Sequence, residues 1–486
     1  MSDPLWTSAE IAAATGGTAS NDFAVFGLSI DTRTLDAGDL FVALKDVRDG
    51  HDFVPAAFDE GAEGALVSRE VGGGPTVRVD DVLTGLEQLG LAARDRATDC
   101  YRTAVTGSVG KTSVKEMLAR IYRALGPAHW NERSFNNQWG VPLTLARMPK
   151  ETRRAIFEIG MNTPGEIAPR SIMVQPHAAL ITKIAPAHLE GVGSIEGVAK
   201  EKSDIFAGLL PGGVAVLPHE DRFIDYLKAE AKAHQPDCQI KTFGMDRSAD
   251  AYVHQIYTDA ATMSVYLVVQ GVEVCVELNA IGEHWAMNAA AALLLACQDD
   301  SVDVEAAAQA LSGYAPPAGR GTAEILKLPN GGEVTLIDDA YNANPESMHA
   351  ALKSFGERPG TRHIAVLGEM LEVGATSAAE HAALAGPIRA AGVTKAYLAG
   401  DGMVPLVEAL CGQPSERTES IWSVKAEGFE NDLKNALKDG DLLLLKGSNA
   451  SGINRLADRL RQWSASADEQ VKDSGVENTA RGRDAV

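Results

Sequence analysis

Residues 101–125, YRTAVTGSVGKTSVKEMLARIYRAL, constrain this chain more than any other segment. An apolar run ends at the turn Thr106-Gly107-Ser108-Val109-Gly110-Lys111-Thr112, and an amphipathic stretch of helical period follows. Glycines let backbone N–H groups face a polyphosphate, and a helix N-terminus adds positive potential there. A lysine in this place reaches the β- and γ-phosphates, and the hydroxyl after it ligates Mg²⁺. The segment therefore reads as a phosphate loop for a nucleoside triphosphate, formed by Gly107, Ser108, Val109, Gly110, Lys111, Thr112 and Ser113. The longer form of this loop has a glycine six residues before the lysine, where this chain has Val105, so the loop is the short G-x-x-G-K-T form. Its bland alternative is a strand–helix turn with no ligand.

The chain has 486 residues, enough for about three domains at roughly 150 residues each. Apolar residues make up 45%, which supports several cores. The net charge of −22 argues against a nucleic-acid partner, because phosphate backbones are held by clustered Lys and Arg. Five cysteines (Cys100, Cys238, Cys275, Cys297 and Cys411) include no C-x-x-C pair, so they read as buried thiols in a reducing compartment. The N-terminus has neither a basic nor an apolar leader region. It reads as a helix capped by Thr7 or Ser8, with Glu10 near the third position. No apolar run reaches the ~18 residues that span a bilayer. A cytoplasmic protein without membrane insertion is expected, and a monomer.

Short strands mixed with helices occupy 1–98, among them Asp39–Lys45, GALVS and TVRVD. From 99 to 315 strands and helices alternate, which argues for an α/β domain with a parallel or mixed sheet. Within it, AYVHQIYTDAATMSVYLVVQGVEVCVELN alternates apolar and polar residues around Gly271 and reads as inserted antiparallel hairpins. YAPPAGRGT (Tyr314–Thr322) reads as a linker. Alternation resumes over 316–463 as a Rossmann-like unit without G-x-G-x-x-G, and 464–486 reads as a disordered tail. The fold class is thus α/β in three domains: a mixed α/β N-terminal domain, a central P-loop domain and a Rossmann-like C-terminal domain.

Other residues carry chemical potential. Glu158 ends the apolar run RAIFE, and carboxylates at strand C-termini face the crevice where α/β sheets bind ligands. APAHLEGVGSIEGVAKEKSDIF holds His188, Lys200 and Lys202. Asn136 and Asn137, His284 and Asn288, and the acidic IDDAYNANPESM segment follow. Taken alone, strand-end carboxylates are usually solvated and such amides are often caps. Arg320 stands in the linker, placed to reach back toward a γ-phosphate.

In order along the chain, TGSVGKTSVKEML, NNQWGVPLTL, FEIGMNTPGEI, AHLEGVGSIEGVAKEKSDIF, GEHWAMNAAAA and IDDAYNANPESM resemble the Mur ligase family, over roughly residues 24–460. DDAYNANP, with no D-N-P-R motif, favours the branch that adds D-alanyl-D-alanine. The resemblance implies three domains that bind, in order, a UDP-sugar, ATP and the incoming amine. It implies an ATP-dependent amide ligase in peptidoglycan synthesis: the carboxylate of UDP-muramoyl-tripeptide takes the γ-phosphoryl group, and D-alanyl-D-alanine displaces phosphate from the acyl phosphate.

By the same resemblance, Lys111 holds phosphates, Thr112 and Glu158 hold one Mg²⁺, and His188 ligates a second. A lysine after that histidine is carbamylated by CO₂ and becomes a metal-binding carboxylate; spacing favours Lys202, with Lys200 the competitor. Asn137, Asn288 and Asn342 resemble nucleotide contacts, Arg320 and Asp339 the C-terminal domain's ATP contacts, and Ser29, Thr32 and Arg33 the uridine end. The chain departs from the family where Trp285 follows His284 in place of Asn, in KDVRDGH, and in KGSNASGINRL, which lacks an Arg after K-G-S. The rival expectations are a related ligase adding a diamino acid, and a P-loop module with no ligase activity.

Overall fold

The computed structural model describes residues 3–131, 135–186, 189–259, 262–371, 373–411 and 418–466. Among the described residues, three sheets of five or more strands follow one another along the chain, and Trp6–Thr7 pairs with Ala24–Val25 in a small two-stranded one.

The first has five strands in the spatial order Thr18–Ala19, Thr76–Arg78, Gly64–Val67, Asp39–Val42, Gly27–Ser29, parallel except where the first two meet. Before it, the helix Ser8–Thr15 starts on a capping box in which Thr7 and Glu10 satisfy each other's backbone N–H groups. The helix Val82–Arg96 covers this sheet and packs on Gly140–Ala146 of the next unit; Leu143 and Ala146 join the apolar cluster of Leu86 and Leu89. Arg147 Nε donates to the Leu28 carbonyl at 2.7 Å, and the Trp6 indole to the Ala146 carbonyl at 2.8 Å. These contacts fix the N-terminal sheet against the central one.

The central sheet has nine strands. Ala128–Trp130, Arg154–Glu158, Tyr101–Thr106, Ala178–Ile181, Val214–Pro218, Gln239–Gly244 and Ala251–Thr258 run parallel, and Met263–Val269 and Val272–Leu278 continue antiparallel. Both faces are covered. Val105, Ile156, Leu180 and Val216 pack against the helices Lys111–Ala124 and Glu283–Ala296 on one side. Their neighbours Ala104, Phe157, Ile181 and Leu217 feed the core on the other. Alternate residues of buried parallel strands supply opposite layers, so these strands read as unbroken apolar runs. The expected hairpins are antiparallel, turn at Gly271 (φ +85°) and extend the central sheet.

The third sheet orders Thr322–Lys327, Glu333–Asp339, Asp441–Lys446, His363–Gly368, Val393–Ala399 and Glu419–Ser423, parallel except for the first strand. A helix runs through Ser466, so residues 464–466, expected in the tail, are helical; Ser464 is buried and its Oγ accepts from the Lys327 N–H at 2.6 Å. The rest of the expected tail, 467–486, lies outside the described residues. No helix among the described residues is long and apolar enough to cross a membrane.

Candidate active site

The strand Tyr101–Thr106 enters the central sheet between its two parallel neighbours, so the loop after it opens at the C-terminal edge, where α/β sheets bind ligands. Two glycines shape this loop. Gly107 has φ +147°, and a Cβ there would lie 1.8 Å from Thr182 Oγ1. Gly110, at φ +82°, begins the helix Lys111–Ala124, and a Cβ there would lie 2.8 Å from Asn288 Oδ1. Ser108 is pinned on both sides: its N–H donates to the Lys183 carbonyl at 2.8 Å and its Oγ to the Ala185 carbonyl at 2.8 Å. Thr182 Oγ1 donates to the Val109 carbonyl. The loop is held in shape by its neighbours.

Lys111 Nζ donates to the Gly107 carbonyl at 2.7 Å. Burial lowers its pKa, with Glu158 opposing and Arg320 assisting. Thr112 Oγ1 donates to Glu158 Oε2 at 2.9 Å, and Asn136 Nδ2 to Glu158 Oε1 at 2.7 Å. Glu158 is 1% exposed. A buried carboxylate oriented by an amide and touching the loop hydroxyl is the oxygen donor set a hard divalent cation takes. The family resemblance points to Asn137 as a nucleotide contact, but the structure puts it elsewhere. Asn137 is exposed and caps the next turn, its Oδ1 accepting from the Gly140 N–H at 2.9 Å. The amide that faces the site is its neighbour Asn136, which lines the cleft.

Lys202 is 1% exposed, and Lys200, on the same helix Ile195–Ser203, is exposed. Burial, reinforced by the Lys111 charge, pushes the Lys202 pKa well below the ordinary lysine value. No hydrogen bond reaches its Nζ among the described residues. The geometry thus separates the two lysines: one is a buried amine tending to neutrality, the other is open to solvent. His188 lies outside the described residues. Among those described, no three His, Cys, Asp or Glu side chains gather as a metal cluster.

The neighbour of Lys202 contributes a feature that no sequence motif signals. Glu201 is 5% exposed, and its carboxylate accepts from the N–H groups of Gly165 (2.7 Å), Glu166 (2.9 Å) and Ile167 (3.1 Å). It locks the lysine-bearing helix to the loop that follows Glu158. Glu201→Ala leaves these N–H groups without their anionic acceptor, and a loss of about 2–4 kcal/mol is expected. Urea unfolding of the variant checks this, and a midpoint equal to wild type contradicts it.

The cleft has a volume of about 440 Å³ and lies between the central and C-terminal sheets. It brings together Ser108 to Ser113, Glu158, Asn288, Arg320, Asp339 and Asn342. Arg320 stacks its guanidinium over the Tyr341 ring, 3.8 Å from the centroid. Asp339 pairs with Lys446 at 2.7 Å, and Lys446 also donates to the Asn342 carbonyl at 3.1 Å. Burial raises the Asp339 pKa, and Lys446 opposes that. Lys446 opens the segment KGSNASGINRL, whose pattern alone gives it no role; the parallel register that sets it opposite Asp339 places it here. His284 is pushed down to about 4, first by burial and then by the cations Lys446, Arg358 and Lys353, so it stays neutral near pH 7. Trp285 is buried and tilts against Tyr314. Ion pairs Lys183–Glu346 and Lys353–Glu283 (2.8 Å), with Ser354 Oγ donating to the Ile281 carbonyl at 2.6 Å, join the two domains beside the cleft.

A second cavity, of about 1400 Å³, lies between the N-terminal and central sheets. Ser29, Thr32 and Arg33 line it together, as do His129 and Arg147. Ser29 is buried, and Arg33 is exposed and paired with Asp31 at 2.6 Å. His129 is held neutral, at about 4, mainly by burial.

Comparison with known proteins agrees with this geometry. Residues 105–296 match the Mur ligase middle domain, and residues 323–449 match the Mur ligase, glutamate ligase domain. A UDP-N-acetylmuramoyl-tripeptide–D-alanyl-D-alanine ligase of Escherichia coli is 35% identical, covering 78% of this chain and 82% of the relative. The Bacillus subtilis ligase of the same name is 31% identical over 89% of this chain and 92% of its own length. Among solved structures, a MurF crystal structure from Acinetobacter baumannii superimposes with a TM-score of 0.82 at 30% identity, covering 95% of this chain and 99% of that one. With its phosphate loop, its three successive sheets and these matches along most of its length, the chain belongs to the Mur ligase family, in the MurF branch.

Proposed function

We propose that this chain joins D-alanyl-D-alanine to UDP-N-acetylmuramoyl-tripeptide at the expense of ATP, the reaction named for its relatives. It is a ligase of peptidoglycan synthesis. The observation that carries the reading is the buried Thr112–Glu158 contact at the head of the phosphate loop, in a cleft shared by the two domains expected to bring ATP and the amine.

A carboxylate acylates poorly because its leaving group is oxide. Transfer of the γ-phosphoryl group gives an acyl phosphate and ADP. Attack by the dipeptide amine then forms the amide, releases phosphate and loses one proton from nitrogen. The protein's part is positioning and charge neutralisation. Lys111 leaves its loop carbonyl to meet the β- and γ-phosphates. Arg320 approaches the same charge from the C-terminal domain. Thr112 and Glu158 would hold Mg²⁺, which would supply charge neutralisation to the phosphates. Lys202 as a neutral amine would add CO₂ to give a carbamate and one proton, and so would offer a second anionic metal ligand, with His188 the other ligand that the family resemblance implies. Asp339, Asn288 and Asn342 contact the nucleotide. Ser29, Thr32 and Arg33 line the UDP end, in the cavity between the first two domains. The domains follow the limits 1–98, 99–315 and 316–466, and the enzyme acts as a cytoplasmic monomer.

The deciding measurement is ADP formation with UDP-muramoyl-tripeptide and three amines. D-alanyl-D-alanine is expected to support turnover at least 100-fold faster than L-lysine or diaminopimelate. Preference for either amino acid would instead assign the chain to another Mur ligase branch.

A further inference from the structure

The cleft has a far end that the phosphate chemistry does not use. From the loop it passes Asn288 and, one helical turn earlier on Glu283–Ala296, His284. It then runs beneath the helix Pro345–Gly356 to Arg358. The walls at this end are apolar, built from Ile281, Ile337, Ala351, Phe355 and Leu444.

Arg358 is 7% exposed. No hydrogen bond or ion pair reaches its guanidinium among the described residues, and its Nε is buried without a partner. Burial pushes its pKa down to about 10, with no carboxylate opposing. The group is therefore charged at neutral pH, although desolvation without a counter-charge destabilises the fold. Buried polar groups are almost always satisfied, and each exception calls for a physical reason, a missing binding partner among them. Here the neighbouring space is a slot with apolar walls and a few polar groups at its ends, the form of a small-molecule site.

We propose that Arg358 recognises the purine base of the nucleotide, its N–H donors meeting ring-nitrogen acceptors while the apolar walls cover the faces of the ring. The direction of the cleft supports this. With phosphates on Gly107–Thr112, Asn288 stands against Gly110 of the loop, and the His284 ring lies within electrostatic reach of both Lys446 and Arg358. The base then lies beyond Asn288, between His284 and Arg358. A guanidinium offers donors only, so it reads acceptors such as ring nitrogens and leaves an exocyclic amine to other groups. The proposal rests on the phosphate-loop reading and adds the residue that reads the base.

Arg358→Met keeps an apolar stem as far as the Nε position and removes the guanidinium with its uncompensated charge. It is expected to fold with a melting temperature at or above wild type. Calorimetric titration then compares Mg·ADP with inorganic triphosphate, which has no base. ADP affinity is expected to fall about tenfold or more, the scale of a lost charge-assisted hydrogen bond, while triphosphate affinity is unchanged. Wild type is also expected to bind at least one of 1-deaza-, 3-deaza- and 7-deaza-ADP more weakly than ADP, a discrimination the variant loses. ADP binding within twofold of wild type overturns the proposal, as does an equal weakening of ADP and triphosphate, which would make Arg358 a general anion attractor. If the variant does not fold, equal binding of ADP and all three analogues to wild type overturns it. Failure of wild type to bind either ADP or triphosphate would strike the phosphate-loop reading instead.

Discussion

Lys111→Ala is expected to lower kcat/KM for ADP formation by about 10³-fold or more, the scale of removing a preorganised cation from a phosphoryl-transfer site. The size follows from what surrounds the side chain. Its ammonium rests on the Gly107 carbonyl, a contact internal to the loop, and Arg320 is the other cation acting on it across the cleft. Substitution removes charge where negative charge builds up and leaves the loop's own supports in place, because Ser108 and Thr182 still hold the backbone. Thermal unfolding should therefore match wild type. Retained turnover in a coupled ADP assay would refute the loop assignment.

The second large effect concerns Lys202. Lys202→Ala is expected to lower activity by about 10²-fold or more, as loss of a metal-binding group does. Added bicarbonate should leave the variant inactive, and short carboxylic acids should restore part of its activity by standing in for the carbamate. Wild type incubated with ¹³C-bicarbonate should show a carbamate carbon resonance that the variant lacks. Full activity of the variant would end the carbamate reading. The pH dependence has a defined sign. The folded-state pKa is depressed, so the folded chain binds fewer protons at this residue than the unfolded chain does. The amine is free above that depressed value and protonated as pH falls through it. Carbamate, and the activity it supports, should therefore decline on acidification and recover with bicarbonate. The same residue destabilises the fold at low pH, and that cost is lifted as pH rises toward the unfolded value.

Much of the architecture is legible in local sequence patterns. The Thr7–Glu10 cap, the loop between strand and helix, and the switch from parallel alternation to hairpins after residue 250 are all encoded within about 30 residues of sequence. What cannot be read this way depends on pairing across long separations. Strand Gln239–Gly244 accepts Ala251–Thr258 in parallel at only two residue pairs, and nothing local marks that junction. Lys446 reaches Asp339 through a register between strands about a hundred residues apart. Asn136 and Asn137 are chemically identical neighbours, and the turn into Gly140–Ala146 decides which amide faces Glu158. Lys200 and Lys202 differ by two positions, roughly 200° around a helix, so one is turned to solvent and the other inward. Arg358 follows a helix in no motif at all, and only its burial without a partner marks it out.

The ion pairs beside the cleft bear on how turnover ends. Lys353 and Glu283 are more than half exposed, and Lys183 and Glu346 are also open to solvent. Exposed pairs of this kind contribute about 0–1 kcal/mol each and are screened over about 10 Å at 0.1 M ionic strength. A clasp this weak holds the two domains together without trapping what lies between them. Dissolved salt is thus expected to act as a dial on the enzyme's gait: raising it should loosen the clasp, hasten departure of ADP and phosphate, and weaken capture of the next ATP.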